Sequence, residues 1–189
     1  MSKATLTISS KNYSSWSLRG WLLCRMAGLD VTEEPVDMTE ASARQELLLL
    51  TPSVLVPRLT HGDVAVWDTL AIAEYLHETF PKAGLYPADV AARALCRAVS
   101  GEMHSGFYNL RSALPMNLRA RHDSFRIFSG ARPDVERVKA IWHDCLDRFG
   151  GPFLPAPASP MPCMPRSAPA SAPMPCRWIR RCRPMRTRS

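Results

Sequence analysis

The pair Ser14-Ser15 in "NYSSWSLRGW", residues 12–21, stands between a short alternating run and an amphipathic one. If the second run is a helix, these hydroxyls lie at its N-terminus, where unpaired N–H groups and the positive end of the peptide dipole stabilise an anion. A serine there can donate a hydrogen bond to the same anion. The simpler role is capping, in which Ser14, Ser15 or Ser17 accepts from an N–H group of the first turn. Two further positions carry related chemistry. Pro57 in "VLVPRL" precedes a strand-like run, and a cis Val56–Pro57 bond would let the backbone of Val56 pair with an extended ligand. Asp68-Thr69 opens a later apolar stripe, giving a second helix N-terminus with side-chain oxygens to hold a carboxylate or an amine.

The elements around these residues follow from periodicity. "ATLTIS" alternates as a half-buried strand does, and Leu18, Trp21, Leu22, Met26 and Leu29 then recur at helical spacing up to a stop at Gly28. "VTEEPVDM" predicts a short edge strand, since Pro35 excludes a central one, and "EASARQELLLL" a helix ending before Thr51-Pro52. "VPRLT" and "DVAVW" flank the turn signal "HGD" and predict an antiparallel hairpin. Thr69, Ile72, Ala73, Leu76 and Phe80 make a helical stripe that stops at Pro81. The order βαβα then ββα fits a mixed sheet with helices packed on it over residues 1–80.

Beyond a linker at 81–90 no strand is predicted up to residue 150. Residues 88–114 read as one long helix, and Val135, Val138, Ile141, Trp142, Cys145, Leu146 and Phe149 form a second stripe opened by Pro133-Asp134. The fold class is therefore α+β: an α/β first domain followed by a helical, incomplete second domain at 91–154.

Composition narrows the function. The formal net charge is +7, but residues 151–189 hold seven arginines and no Asp or Glu, which leaves 17 basic and 17 acidic groups in the first 150 residues. A neutral body argues against a dedicated nucleic-acid binder. The N-terminus lacks a signal-peptide apolar core and no run approaches the roughly 18 apolar residues of a membrane span, so a soluble, cytoplasmic body is expected. Cys24, Cys96 and Cys145 lie far apart among apolar residues, with no CxxC, and read as buried free thiols; no metal site is evident.

"SSWSLR", "VLVPRL", "WDTLAIAEYL" and "GLYPADVAARA", in that order, resemble the cytosolic glutathione S-transferases, and "GGPFL" at 150–154 extends the likeness. The resemblance implies a thioredoxin-like N-terminal domain, an all-α C-terminal domain and a homodimer that binds glutathione as co-substrate. "SSWSLR" is most similar to the "SSC" signature of the zeta class, associated with maleylacetoacetate isomerase, with Trp16 in place of the cysteine. Carried over, Ser14 stabilises the glutathione thiolate, with Ser15 as its understudy. Trp16 flanks them, and Arg19 contacts the ligand or ties its helix to the domain interface. Val56, before Pro57, pairs with the cysteinyl part, while Asp68 and Thr69 hold the γ-glutamyl end in place of the usual Glu or Gln followed by Ser. A small electrophile would lie between the domains, near Met103, His104, Phe107 and Tyr108. Met103 and Phe107 also suit a core, and His104 a structural role rather than that of a base.

Residues 155–189 carry most of the ten prolines found after residue 150, a composition that cannot hold a helix. Composition alone reads this as a disordered basic arm that could bind RNA or acidic surfaces. Reverse translation from Ser159, read from the third base of each codon, permits Ala-Asp-Ala-Met-Tyr-Ala-Pro-Val-Cys-Thr-Arg-Phe, which resembles the sixth-helix segment of the same family. A frameshift near residues 155–159 is therefore expected.

Overall fold

The computed structural model describes residues 4–37, 55–121 and 126–149. The helix expected in "EASARQELLLL" and the tail at 155–189 lie outside the described residues. Strands β1 (Ala4–Ile8), β2 (Thr32–Pro35), β3 (Arg58–His61) and β4 (Val64–Trp67) form a mixed sheet in the order β2-β1-β3-β4. β2 runs parallel to β1, with Pro35 opposite Ile8 at the sheet edge, where its missing N–H costs no ladder bond. β3 is antiparallel to both β1 and β4, and the β3–β4 hairpin turns at Gly62-Asp63.

Helix α1 (Ser15–Ala27) ends where Gly28 takes a left-handed conformation, φ 72°, and the N–H of Leu29 closes back on the Cys24 carbonyl. Helix α2 (Thr69–Thr79) packs beside α1 and buries the expected Thr69, Ile72, Ala73 and Leu76. Helix α1 instead buries Ser17, Gly20, Leu23, Cys24 and Ala27 and leaves the expected Leu18, Trp21 and Leu22 half-buried and Met26 exposed, because the close seat of Pro57 on Gly20 turns that face inward. Leu6, Leu23, Leu59, Ile72 and Leu76 make this core, which the connecting segment closes: after a 3-10 turn at Pro81–Ala83, Leu85 and Tyr86 are buried in it. The expected linker is thus part of the first core.

The long helix expected over 88–114 is two helices. α3 (Val90–Ser105) stops at Gly106, Phe107 turns back at φ 59° and buries its ring, and α4 (Tyr108–Ala113) restarts in a new direction. Tertiary structure holds the restart: the N–H of Leu110 donates to Asp134 Oδ2 at 2.9 Å, so a side chain of α5 (Arg132–Phe149) satisfies the first turn of α4. Val99, Phe107, Val138, Ile141 and Cys145 form a second core from these three helices. Cys24, Cys96 and Cys145 are buried, and desolvation raises the Cys24 thiol to about 12. Among the described residues no helix is long and apolar enough to cross a membrane, and no group of three or more His, Cys, Asp or Glu side chains could hold a metal ion.

Candidate functional site

Sheet register brings the candidate residues together. Thr7 of β1 lies opposite Arg58 of β3, and Arg58 lies opposite Trp67 of β4. The turn from β1 into α1, the Val56-Pro57 entry to β3 and the Asp68-Thr69 exit from β4 therefore emerge side by side at one end of the sheet. Each carries residues singled out by the sequence.

At the first exit the chain is tied down before the helix begins. The N–H of Ser14 donates to the Ser10 carbonyl at 2.8 Å, and Ser10 Oγ accepts from Asn12 and Tyr13. Ser14 is the N-cap: its Oγ accepts from the Ser17 N–H at 3.2 Å, while Ser15 is the first helical residue. Ser17 is fully buried and turned the other way, accepting from the Ser9 N–H at 3.1 Å. Capping and anion donation are compatible in Ser14, because a hydroxyl oxygen that accepts one N–H retains its own proton to donate.

The Val56–Pro57 bond is cis. Pro57 is fully buried and seats on Gly20 of α1, where a Cβ would come within 2.6 Å of the Pro57 Cβ and 2.7 Å of its Cγ. Only a glycine allows this approach between α1 and the β3 entry, a positioning role that the reading of the α1 stripe did not assign. An isolated glycine inside a helical pattern was the available signal.

Asp68 caps α2, its Oδ1 accepting from the Leu70 N–H at 2.7 Å. It does so at φ 76° and ψ 135°, a conformation that costs a non-glycine residue about 1–3 kcal/mol and concentrates at ligand sites. Beside it the Thr69 hydroxyl oxygen is buried without a hydrogen-bond partner among the described residues, an unmet polar group at a helix N-terminus.

The helical region closes over these exits. His104 Nε2 of α3 lies 3.1 Å from Asp68 Oδ2, and its ring meets Trp16 edge-on at 5.0 Å. The guanidinium groups of Arg19 and Arg111 lie 4.5 Å and 5.3 Å from the Trp16 ring centre. Farther along, Asn12 Nδ2 donates to Asn117 Oδ1 at 3.2 Å, tying the β1–α1 turn to the segment after α4. Trp16 is thus one contact point between the regions, with three cationic or potentially cationic side chains near the α1 N-terminus. Such surroundings favour a thiolate. Arg111 was not among the expected residues; its position depends on the turn at Phe107, which periodicity does not reveal. Met103 packs partly buried against the second core and Phe107 is buried in it, whereas Tyr108 is exposed.

Residues 13–79 match the family model described as glutathione S-transferase, N-terminal domain. The chain is 33% identical over 113 residues to glutathione S-transferase 1 of Dianthus caryophyllus, covering 59% of this chain and 51% of that protein. It is 31% identical over 104 residues to a probable maleylacetoacetate isomerase of Caenorhabditis elegans, covering 55% and 48%. The chain spans about half the length of the curated relatives it matches. Among solved structures, a glutathione transferase homolog from Burkholderia, crystallised with bound glutathione, superposes with a TM-score of 0.51 at 29% identity, covering 59% of this chain and 62% of that one.

Proposed function

We propose that the chain, whose residues 13–79 match the N-terminal domain of the glutathione S-transferase family, binds glutathione across the three exits at the end of its sheet and activates the thiol there. The observation that carries this reading is their convergence: a capped helix N-terminus at Ser14-Ser15, a cis bond at Val56–Pro57, and a strained Asp68 beside a Thr69 hydroxyl without a partner among the described residues. An extended tripeptide laid over them would pair its cysteinyl backbone with Val56. Its γ-glutamyl ammonium would meet Asp68, and its α-carboxylate the Thr69 hydroxyl and the α2 N-terminus. Bound glutathione in the Burkholderia homolog supports the choice of ligand.

A free thiol near pKa 8.5 is mostly protonated at neutral pH, and a helix N-terminus with a hydroxyl donor lowers it. Ser14 donates its proton in a hydrogen bond to the sulfur, with Ser15 as the alternative donor, and the thiol proton passes to solvent. The thiolate then attacks an electrophile held between the sheet end and the helical region, against Trp16. A transferase releases the conjugate. A glutathione-dependent isomerase instead expels the thiolate again after rotation about the substrate bond, and the maleylacetoacetate isomerase relatives favour keeping that outcome in view. A homodimer working in the cytoplasm completes the proposal.

The test is the ultraviolet absorbance of bound thiolate against pH, with turnover of a generic aromatic electrophile. Ser14→Ala is expected to raise the thiol pKa and slow turnover by about 10²-fold, the scale of losing one oxyanion donor. If Ser14→Ala and Ser14→Ala/Ser15→Ala both leave these unchanged, the serine assignment is wrong. A second reading, glutathione binding without catalysis, is favoured by Trp16 in place of the signature cysteine. Binding with no thiolate absorbance would select it.

A further inference from the structure

Both oxygens of Asp68 are engaged within the chain. Oδ1 accepts from the Leu70 N–H at 2.7 Å, and Oδ2 lies 3.1 Å from His104 Nε2. An ammonium group arriving at the α2 N-terminus must share Oδ2 with His104 or displace it. His104 comes from the last turn of α3 and is held by its edge-on contact with Trp16 and by its own carbonyl, which accepts from Arg111 Nη1 at 3.3 Å. Its other ring nitrogen, Nδ1, is buried without a hydrogen-bond partner among the described residues. Asp68 is thus the polar anchor of the imidazole in this structure.

We propose that His104 is a positioning residue that, when protonated, competes with the ligand's ammonium for Asp68 Oδ2, so that this subsite binds more weakly as pH falls. The proposal rests on the reading that glutathione occupies this end of the sheet. Across the 3.1 Å contact the imidazolium forms an ion pair with the Asp68 carboxylate, an attraction that the neutral ring lacks. Displacing His104 is therefore harder in acid. The charged groups around it are Asp68 before α2, Arg19 of α1 and Arg111 of α4, the two guanidinium groups lying against Trp16. Guanidinium groups stay charged over the range in which an imidazole titrates, and carboxylates ordinarily titrate below it.

The experiment is calorimetric titration of the full chain with glutathione between about pH 5.5 and pH 8, where imidazoles titrate. It is run on the wild type, His104→Asn and His104→Gln, and repeated with the glutathione analogue in which hydrogen replaces the γ-glutamyl amino group. In the wild type the Kd for glutathione is expected to weaken by about fivefold toward the acid end, the scale of one partly exposed ion pair. In both variants it should stay flat and tighter in acid, and the analogue should show no slope in any chain. Parallel pH profiles in wild type and variants overturn the proposal, as does an analogue with the same slope as glutathione.

Should neither variant fold, nuclear magnetic resonance of the wild-type His104 ring decides. Competition requires saturating glutathione to lower its titration midpoint by linkage, and an unmoved midpoint overturns the proposal. Glutathione failing to bind any of the chains at any pH overturns the glutathione reading itself, and this inference with it.

Discussion

The sheet core and the helical core contribute to one site but are closed to different degrees. Leu6, Leu59, Ile72, Leu76 and Leu85 are at 0% exposure, with 9% reached only at Ala27 and Leu29, whereas no member of the second cluster falls below the 2% of Cys145 and Val99, Phe107, Val138 and Ile141 retain 6 to 8%. The backbone positions that would grip an extended peptide, at Ser14, Val56 and Asp68, are anchored on the first core. The side chains that reach over them, His104 and Arg111, come from the second. A dry core fixes atoms to the tolerance that hydrogen bonds need. The less closed core supplies groups whose partners, Asp68 and Trp16, are themselves on the first.

The largest effect should come from opening the first core. Leu59→Ala is expected to cost about 2–5 kcal/mol by denaturant unfolding, near the top of that range because nothing around a central strand can collapse into the gap. Ile141→Ala should sit near the bottom of the same range, its site being already partly open. Equal losses would erase the distinction between the two cores.

Gly20→Ala tests how the first core positions the site. The added methyl must displace Pro57, and overpacking of this kind typically costs about 1–3 kcal/mol. Glutathione affinity should fall by more than the stability loss accounts for, because the displaced residue carries Val56 with it. Unaltered binding in a folded Gly20→Ala chain would detach Val56 from the ligand.

Asp68→Gly separates strain from function. Glycine relieves the cost of φ 76° at a loss in capping of only a few tenths of a kcal/mol, so unfolding should shift by no more than about 1 kcal/mol. Glutathione binding should nevertheless weaken markedly. A strongly destabilised chain would mean that the cap and the His104 contact matter more to the fold than to the ligand.

Legibility in the sequence divides along the same line. The hairpin at Gly62-Asp63, the Pro35 edge strand, the Gly28 stop and the α2 stripe are local signals, and each is where its residues place it, whereas the face that α1 buries is Ser17, Gly20, Leu23, Cys24 and Ala27 rather than the expected Leu18, Trp21, Leu22 and Met26. The register that gathers Ser14, Val56 and Asp68 at one sheet end follows from those elements. The break at Gly106-Phe107 was not legible as a break, because the apolar spacing of α3 and α4 continues across it. α3 closes on Gly106, whose N–H donates to the Glu102 carbonyl, and the restart of α4 is held by Asp134, more than twenty residues away, which satisfies the Leu110 N–H. The turn dipeptide Ser105-Gly106 was the local sign. The pairing of His104 with Asp68 is likewise a product of packing between regions that no spacing rule encodes.

The smallest predicted effect lies at the seam between the two regions. Arg97 of α3 grips Glu74 of α2 with two hydrogen bonds, Nε to Oε1 at 2.9 Å and Nη2 to Oε2 at 2.8 Å, and its guanidinium lies 4.7 Å from the Tyr86 ring centre. The Arg97 hydrogen bonds hold the Glu74 carboxyl below its usual 4.5 against the opposing effect of burial, with a further contribution from the Tyr86 hydroxyl. A carboxyl whose pKa is lower in the folded chain stabilises it above the unfolded value, and that contribution is lost as pH falls through the folded one. Both partners are 40% or more exposed at the side chain, so solvent screening limits the pair to under about 1 kcal/mol. Glu74→Gln should therefore lower stability slightly and by a constant amount above the carboxylate range. The difference from wild type should vanish as the solution is acidified through that range. A loss several times larger would show that the two regions are joined chiefly through this pair, and that the helical core depends on the seam more than on its own packing.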